Sequence, residues 1–157
     1  MKILAENEGR VFVAVAIIEP GDLQGPFPGS VFPCLIWDHS GSFGHSRRTA
    51  VVGRLLDADC RYAVCGGLNC EAWHDAVDAE LVARHLDDTD EVLAASHVIT
   101  TWHAEESPDE VAFFFVRNTN FDAHDFKHFL VLHIGESSKM SEVNDAVRRY
   151  ALDQETD

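Results

Sequence analysis

Cys70, His74 and Asp78 stand four residues apart in a stretch whose pattern predicts a helix. Side chains at i and i+4 share a helix face and lean toward its N-terminus, so His74 leans back over Cys70 and Asp78 repeats the step. Thiol, imidazole and carboxylate in that order are the parts of an activated nucleophile: the carboxylate orients the base, and the base polarises the thiol. The preceding turn, Cys65-Gly-Gly-Leu-Asn-Cys70, adds to the case. Gly66 and Gly67 let the backbone turn sharply and approach a ligand, as no residue with a Cβ can. Asn69 is a good N-cap, and the free amides behind it attract negative charge, so the 66–70 amides are the expected oxyanion donors. A thiol at the first helical position has its pKa lowered by the helix dipole. Cys70 is therefore the expected nucleophile.

Packing is the competing expectation. Each i+4 step rotates about 40° around the axis, which carries Asp78 toward solvent. Cys70 borders the apolar stripe Trp73, Val77 and Leu81, where a thiol is a small hydrophobe. Catalytic groups are usually drawn from separate elements. His103 and His39, arriving from other loops, are equally good bases for Cys70.

The elements that carry these loops are legible in outline. Residues 11–18, 31–37, 61–65, 97–102 and 129–134 are short apolar or β-branched runs and predict strands. Helices are expected over about 46–57, from Asn69 to about 86, from Ser107, and over about 141–152. The third of these starts Ser107-Pro-Asp-Glu110, with serine at the cap, proline at the first helical position and glutamate where a capping box needs it. Residues 87–91 read as an acidic break. Pro33 removes a ladder donor, which places the second strand toward an edge or delays its pairing. Alternating strands and helices predict a three-layer Rossmann-like α/β sandwich of about five strands, mostly parallel. The first two strands are joined without a helix, so they pair antiparallel or make a bare crossover. One domain over 1–157 is expected, with a polar tail from about 153.

In such sheets ligands bind outside the carboxyl ends of the strands. That rule gathers Asp38, His39 and Arg47 after the second strand, Gly66, Gly67, Asn69 and Cys70 after the third, His103 after the fourth and His133 after the fifth. Arg47 offers a fork for an anionic group. A P-loop and a GxGxxG fingerprint are both missing, so no cofactor is indicated. His39, Cys70, His103 and His133 together have metal-binding side chains. Yet no HxH pair fixes two ligands locally, and His124 and His128, four apart, straddle a strand entry. No metal site is assigned.

The formal net charge of −15 repels phosphate backbones and excludes general nucleic-acid binding. The longest apolar run is too short to cross a bilayer, and the N-terminus lacks the order of a signal peptide. A cytoplasmic location is expected, with the four cysteines reduced. Two functions follow. The first is binding of a small anionic or carbonyl ligand at the strand ends, with thiol-dependent hydrolase or transferase chemistry on Cys70. The second is a non-catalytic acidic domain, of inhibitor or immunity type, that binds a basic protein partner.

Overall fold

The computed structural model describes residues 1–95, 97–120 and 125–153. His124 and the polar tail beyond 153 lie outside the described residues. In chain order the elements are β1 (Lys2–Asn7), β2 (Arg10–Ile17), a 3-10 turn at Pro20–Asp22, β3 (Phe32–Asp38), α1 (His45–Asp57), β4 (Cys60–Gly67), α2 (Cys70–Arg84), α3 (Asp90–Ala95), β5 (Ile99–Trp102), α4 (Pro108–Arg117), β6 (His128–Ile134) and α5 (Lys139–Leu152). They form one six-stranded sheet in the order β1-β2-β6-β3-β4-β5, between two helical layers. The fold is a three-layer α/β sandwich.

The sixth strand is β1, which sequence periodicity does not announce. It folds back on β2 as an antiparallel hairpin, with Asn7 opposite Arg10. Glu8 and Gly9 between them both have positive φ, 54° and 78°. Positive φ at both central residues is the two-residue turn that matches strand twist. All other pairings are parallel. The first two expected strands, β2 and β3, make the bare crossover: each pairs with β6, which lies between them.

Pro33 therefore sits in an interior strand and not at an edge. The Phe32 N–H donates to Asp59 O on the β4 side, so the Pro33 nitrogen faces β6. Pairing with β6 begins only at Cys34, and the missing donor falls before the ladder starts. The acidic stretch also differs from expectation, because Asp90 and Glu91 open the short helix α3. Carboxylates in a first turn are favoured by the helix dipole.

Side-chain alternation divides the strands between two cores. Cys34 and Ile36 of β3 and Leu130 and Leu132 of β6 pack with Val51 and Leu55 of α1 and Trp73 and Val77 of α2. Leu35 and Trp37, with Phe129 and Val131, pack with Val111 and Phe115 of α4 and Val143 and Val147 of α5. From β3 the chain steps outward through β4 to β5, and β6 then returns to the other side of β3. The strand order thus reverses between β3 and β6. α1 leaves β3 toward one face and α5 leaves β6 toward the other, opening a crevice at their carboxyl ends.

No helix among the described residues is long and apolar enough to cross a membrane.

Candidate functional site

A cleft of about 800 Å³ lies across the carboxyl ends of the strands. Its walls are Trp37–His39 at the end of β3, the β4–α2 turn from Gly67 to Ala72, the β5–α4 loop from His103 to Glu106, and Ser137–Lys139 at the start of α5. That volume is within the range of small-molecule sites. Among the described residues, two of the four non-glycine residues with left-handed backbone, Asn69 (φ 54°) and Glu105 (φ 62°), stand on its wall. Such conformations are disproportionately found at ligand sites.

Asp38 ties the loops after β3 and β4 together, its carbonyl oxygen accepting from the Leu68 amide of the β4–α2 turn at 2.9 Å. The Asp38 carboxylate is 1% exposed and accepts from the Ser40 and Gly41 amides and, at 2.9 Å, from Nε1 of Trp73. A buried charge is tolerable when its oxygens are met in this way. Asp38 lines the cleft but is engaged within the protein. Gly67 adopts φ +77°, and a Cβ there would lie 2.6 Å from the Asp38 carbonyl oxygen; at Gly66 it would lie 2.8 Å from the Trp37 ring. The close approach that requires these glycines is to β3.

Asn69 occupies the N-cap position of α2, but its side chain does not cap. Its left-handed backbone points Nδ2 toward the Gly41 carbonyl, 3.4 Å away. The first backbone bond of α2 is Trp73 N to Asn69 O, which leaves the Cys70, Glu71 and Ala72 amides ahead of the ladder and on the cleft wall.

Cys70 is 6% exposed and packs in the α1/α2 core beside Trp73. All four cysteines are free and buried. Burial pushes the Cys60 thiol up to about 12 and raises those of Cys34 and Cys65 as well. Half of the Cys70–His74–Asp78 ladder is present. His74 Nε2 lies 3.3 Å from Asp78 Oδ2, while its Nδ1 meets Thr100 Oγ1 at 3.2 Å. Both ring nitrogens are thus occupied by groups other than Cys70. No hydrogen bond among the described residues joins the Cys70 sulfur to a histidine. His103 is also engaged on both sides, by Glu106 and by Thr101, each at 2.9 Å. Arg47 points away from the cleft. It donates to the Ile18 carbonyl, pairs with Glu19 at 3.2 Å and lies 3.9 Å over the Phe43 ring.

The side chains that do converge are at the strand reversal. His133 on β6 stands opposite Trp37 in the register, so His39, two residues beyond Trp37, shares its face. His39 Nε2 lies 2.7 Å from His133 Nδ1, and His133 Nε2 lies 2.8 Å from Asn144 Oδ1 on α5. The other His39 nitrogen, Nδ1, lies 2.5 Å from Ser137 Oγ. His39 and His133 are among the expected strand-end residues, and Ser137 and Asn144 are not. The available signal was the polar Gly-Glu-Ser-Ser run between a strand and a helix, with α5 starting two residues earlier than its periodicity suggests. Among the described residues, no cluster of three or more His, Cys, Asp and Glu side chains has a metal-holding geometry.

A family model described as a domain of unknown function, DUF7684, matches residues 17–150. The chain belongs to the DUF7684 family. A search of curated proteins finds no match. The matched part of the DUF7684 chain carries every wall of the cleft, from Trp37 to Lys139.

The paired histidines give the DUF7684 domain a pH-dependent stability. Burial, and then the neighbouring His133, depress the His39 pKa from 6.5 to about 4, with Asp38 opposing. Burial also lowers His133, against the Asn144 bond. In the unfolded chain both rings take up protons near pH 6.5, before the folded chain does, so protonation favours unfolding. Their full contribution is present above about 6.5 and is lost as pH falls toward about 4. The urea midpoint therefore drops across this window, and His39→Gln makes the drop shallower. Parallel pH profiles for the two proteins would contradict this account.

Proposed function

We propose that the domain binds a small anionic or carbonyl-bearing ligand in the strand-end cleft and acts there as a hydrolase or transferase. The observation that carries this reading is the convergence of two long helices on one cleft by their N-termini, α2 through Cys70–Ala72 and α5 through Ser138 and Lys139. Helix N-termini present amide donors and positive potential. Lys139 adds the cleft's basic side chain. Cys70 is the thiol candidate on this wall by virtue of its place at the first residue of α2; an imidazole partner would have to come from a rearranged His74 or His103.

The test is a titration of the 15N-labelled chain with acetate and with inorganic phosphate. Saturable shifts are expected at the amides of 70–72 and 138–139, and Lys139→Glu weakens binding by about tenfold, equivalent to about 1.4 kcal/mol. Shifts scattered over the surface, or none, would sink the reading. The charge of −15 favours a second reading, a domain that covers a basic protein surface. Such a complex weakens as salt is raised; capture of a partner whose affinity ignores salt counts against it.

A further inference from the structure

Ser137 is exposed on the cleft wall and ends a chain of hydrogen bonds that runs back into the protein. Asn144 Oδ1 is an acceptor, so the proton it receives sits on Nε2 of His133. Nδ1 of His133 is then bare, and the 2.7 Å contact places the His39 proton on its own Nε2. This leaves His39 Nδ1 unprotonated and 2.5 Å from the Ser137 hydroxyl. The tautomer of each ring is thus set by the bond at its far side, and the series begins at a buried amide. Asn144 is 7% exposed and His133 1% exposed.

We infer that Ser137 is the nucleophile of an acyl-transfer site for small carboxylic esters, with His39 as its general base and His133 and Asn144 as positioning residues. This rests on the ligand-binding reading of the same cleft. Three observations support it. Nucleophile and base come from the two loops that flank the strand reversal, where ligands bind in sheets of this kind. The Lys139 amide donates to Ser137 Oγ at 3.1 Å, and the α5 N-terminus behind it favours negative charge on that oxygen. A serine that served only to hold the helix start needs no more than this Lys139 bond. A buried imidazole and a buried amide behind it, with the half-buried His39 between, would then be a desolvation cost with no return in capping.

In the reaction the Ser137 Oγ–carbon bond forms as the hydroxyl proton passes to His39 Nδ1. The carbonyl electron pair moves onto oxygen, facing the helix N-termini of the cleft. When the pair returns, the carbon–alkoxide bond breaks and the alkoxide takes the proton from His39. Water then attacks the acyl-serine, giving a proton to His39 and releasing the carboxylic acid as Ser137 is reprotonated. The balance is ester plus water to acid plus alcohol.

The test uses a fluorophosphonate probe on the full chain, with the adduct located by peptide mass mapping. The adduct is expected on Ser137, absent in Ser137→Ala, and formed about 100-fold more slowly in His39→Gln. Imidazole 1H–15N spectra at pH 7 are expected to show both His39 and His133 as Nε2–H tautomers. Asn144→Leu should slow labelling and remove that preference, a change that loss of packing alone would not produce. An unlabelled Ser137, an adduct on Cys70 instead, or a His39 proton on Nδ1 would overturn the inference. Titration of Ser137→Ala with acetate separates the two claims. If the 70–72 shifts persist while Ser137 in the wild type stays unlabelled, the serine assignment fails and the cleft reading stands. If the wild type shows no such shifts, the cleft reading itself fails.

Discussion

Trp73→Ala lowers the unfolding free energy by about 3–5 kcal/mol, the range for truncating a fully buried aromatic. Trp73 is wholly inaccessible, packs beside Phe43 with ring centroids 6.0 Å apart, and donates its indole N–H to Asp38. Removing it opens a cavity under α2 and leaves a buried carboxylate oxygen without its partner. Trp73→Phe separates the two effects. It keeps most of the packing and loses the hydrogen bond, so its cost is about 1–3 kcal/mol. Urea denaturation of both variants reads these values. A cost below about 1 kcal/mol for the alanine variant would contradict the burial that underlies it. The consequence reaches the site, because Asp38 also holds the Ser40 and Gly41 amides that start the β3–α1 loop.

Gly67→Ala costs about 2–5 kcal/mol from two sources. A left-handed backbone costs a residue with a Cβ about 1–2 kcal/mol, and overpacking adds about 1–3. The new atom would meet backbone, the Asp38 carbonyl oxygen at 2.6 Å and amide nitrogen at 3.0 Å, and backbone in a paired strand has little room to yield. Gly25→Ala is the control. Nothing lies within 4 Å of its added Cβ, and its effect stays within about 0.5 kcal/mol. Equal effects at the two positions, read from denaturation midpoints, would exclude close approach as the reason for the Gly66-Gly67 pair.

These residues also mark how far local pattern carries. Ser107-Pro-Asp-Glu110 predicts a helix start, and α4 begins at Pro108 with the Ser107 hydroxyl accepting from the Glu110 amide at 3.2 Å. Gly66-Gly67 predicts a strand-to-helix turn, and α2 starts at Cys70. Capping and glycine conformation act within four residues, so the sequence displays them. Asn69 shows the limit: it stands at the cap position, but the turn around Asp38 turns its side chain to Gly41 instead. Arg47 shows it again, drawn to Glu19 and the Ile18 carbonyl by a loop packing that no local pattern encodes.

The candidate site divides along the same line. Apolar runs, turn residues and caps specify which segments are strands and helices, because those preferences are settled by neighbours along the chain. Parallel strands joined through helices also end on one edge of the sheet, so His39, Cys70, His103 and His133 are legible as carboxyl-edge residues. Which of them meet depends on strand order. A hydrogen-bond ladder forms equally well between segments near or far in sequence, and here burial of both sheet faces brings β6 in beside β3. That placement joins His39 to His133 across 94 residues and to Ser137 across 98. It leaves Cys70 packed against Trp73 on the opposite face of the sheet, with His74 held by Thr100 and Asp78.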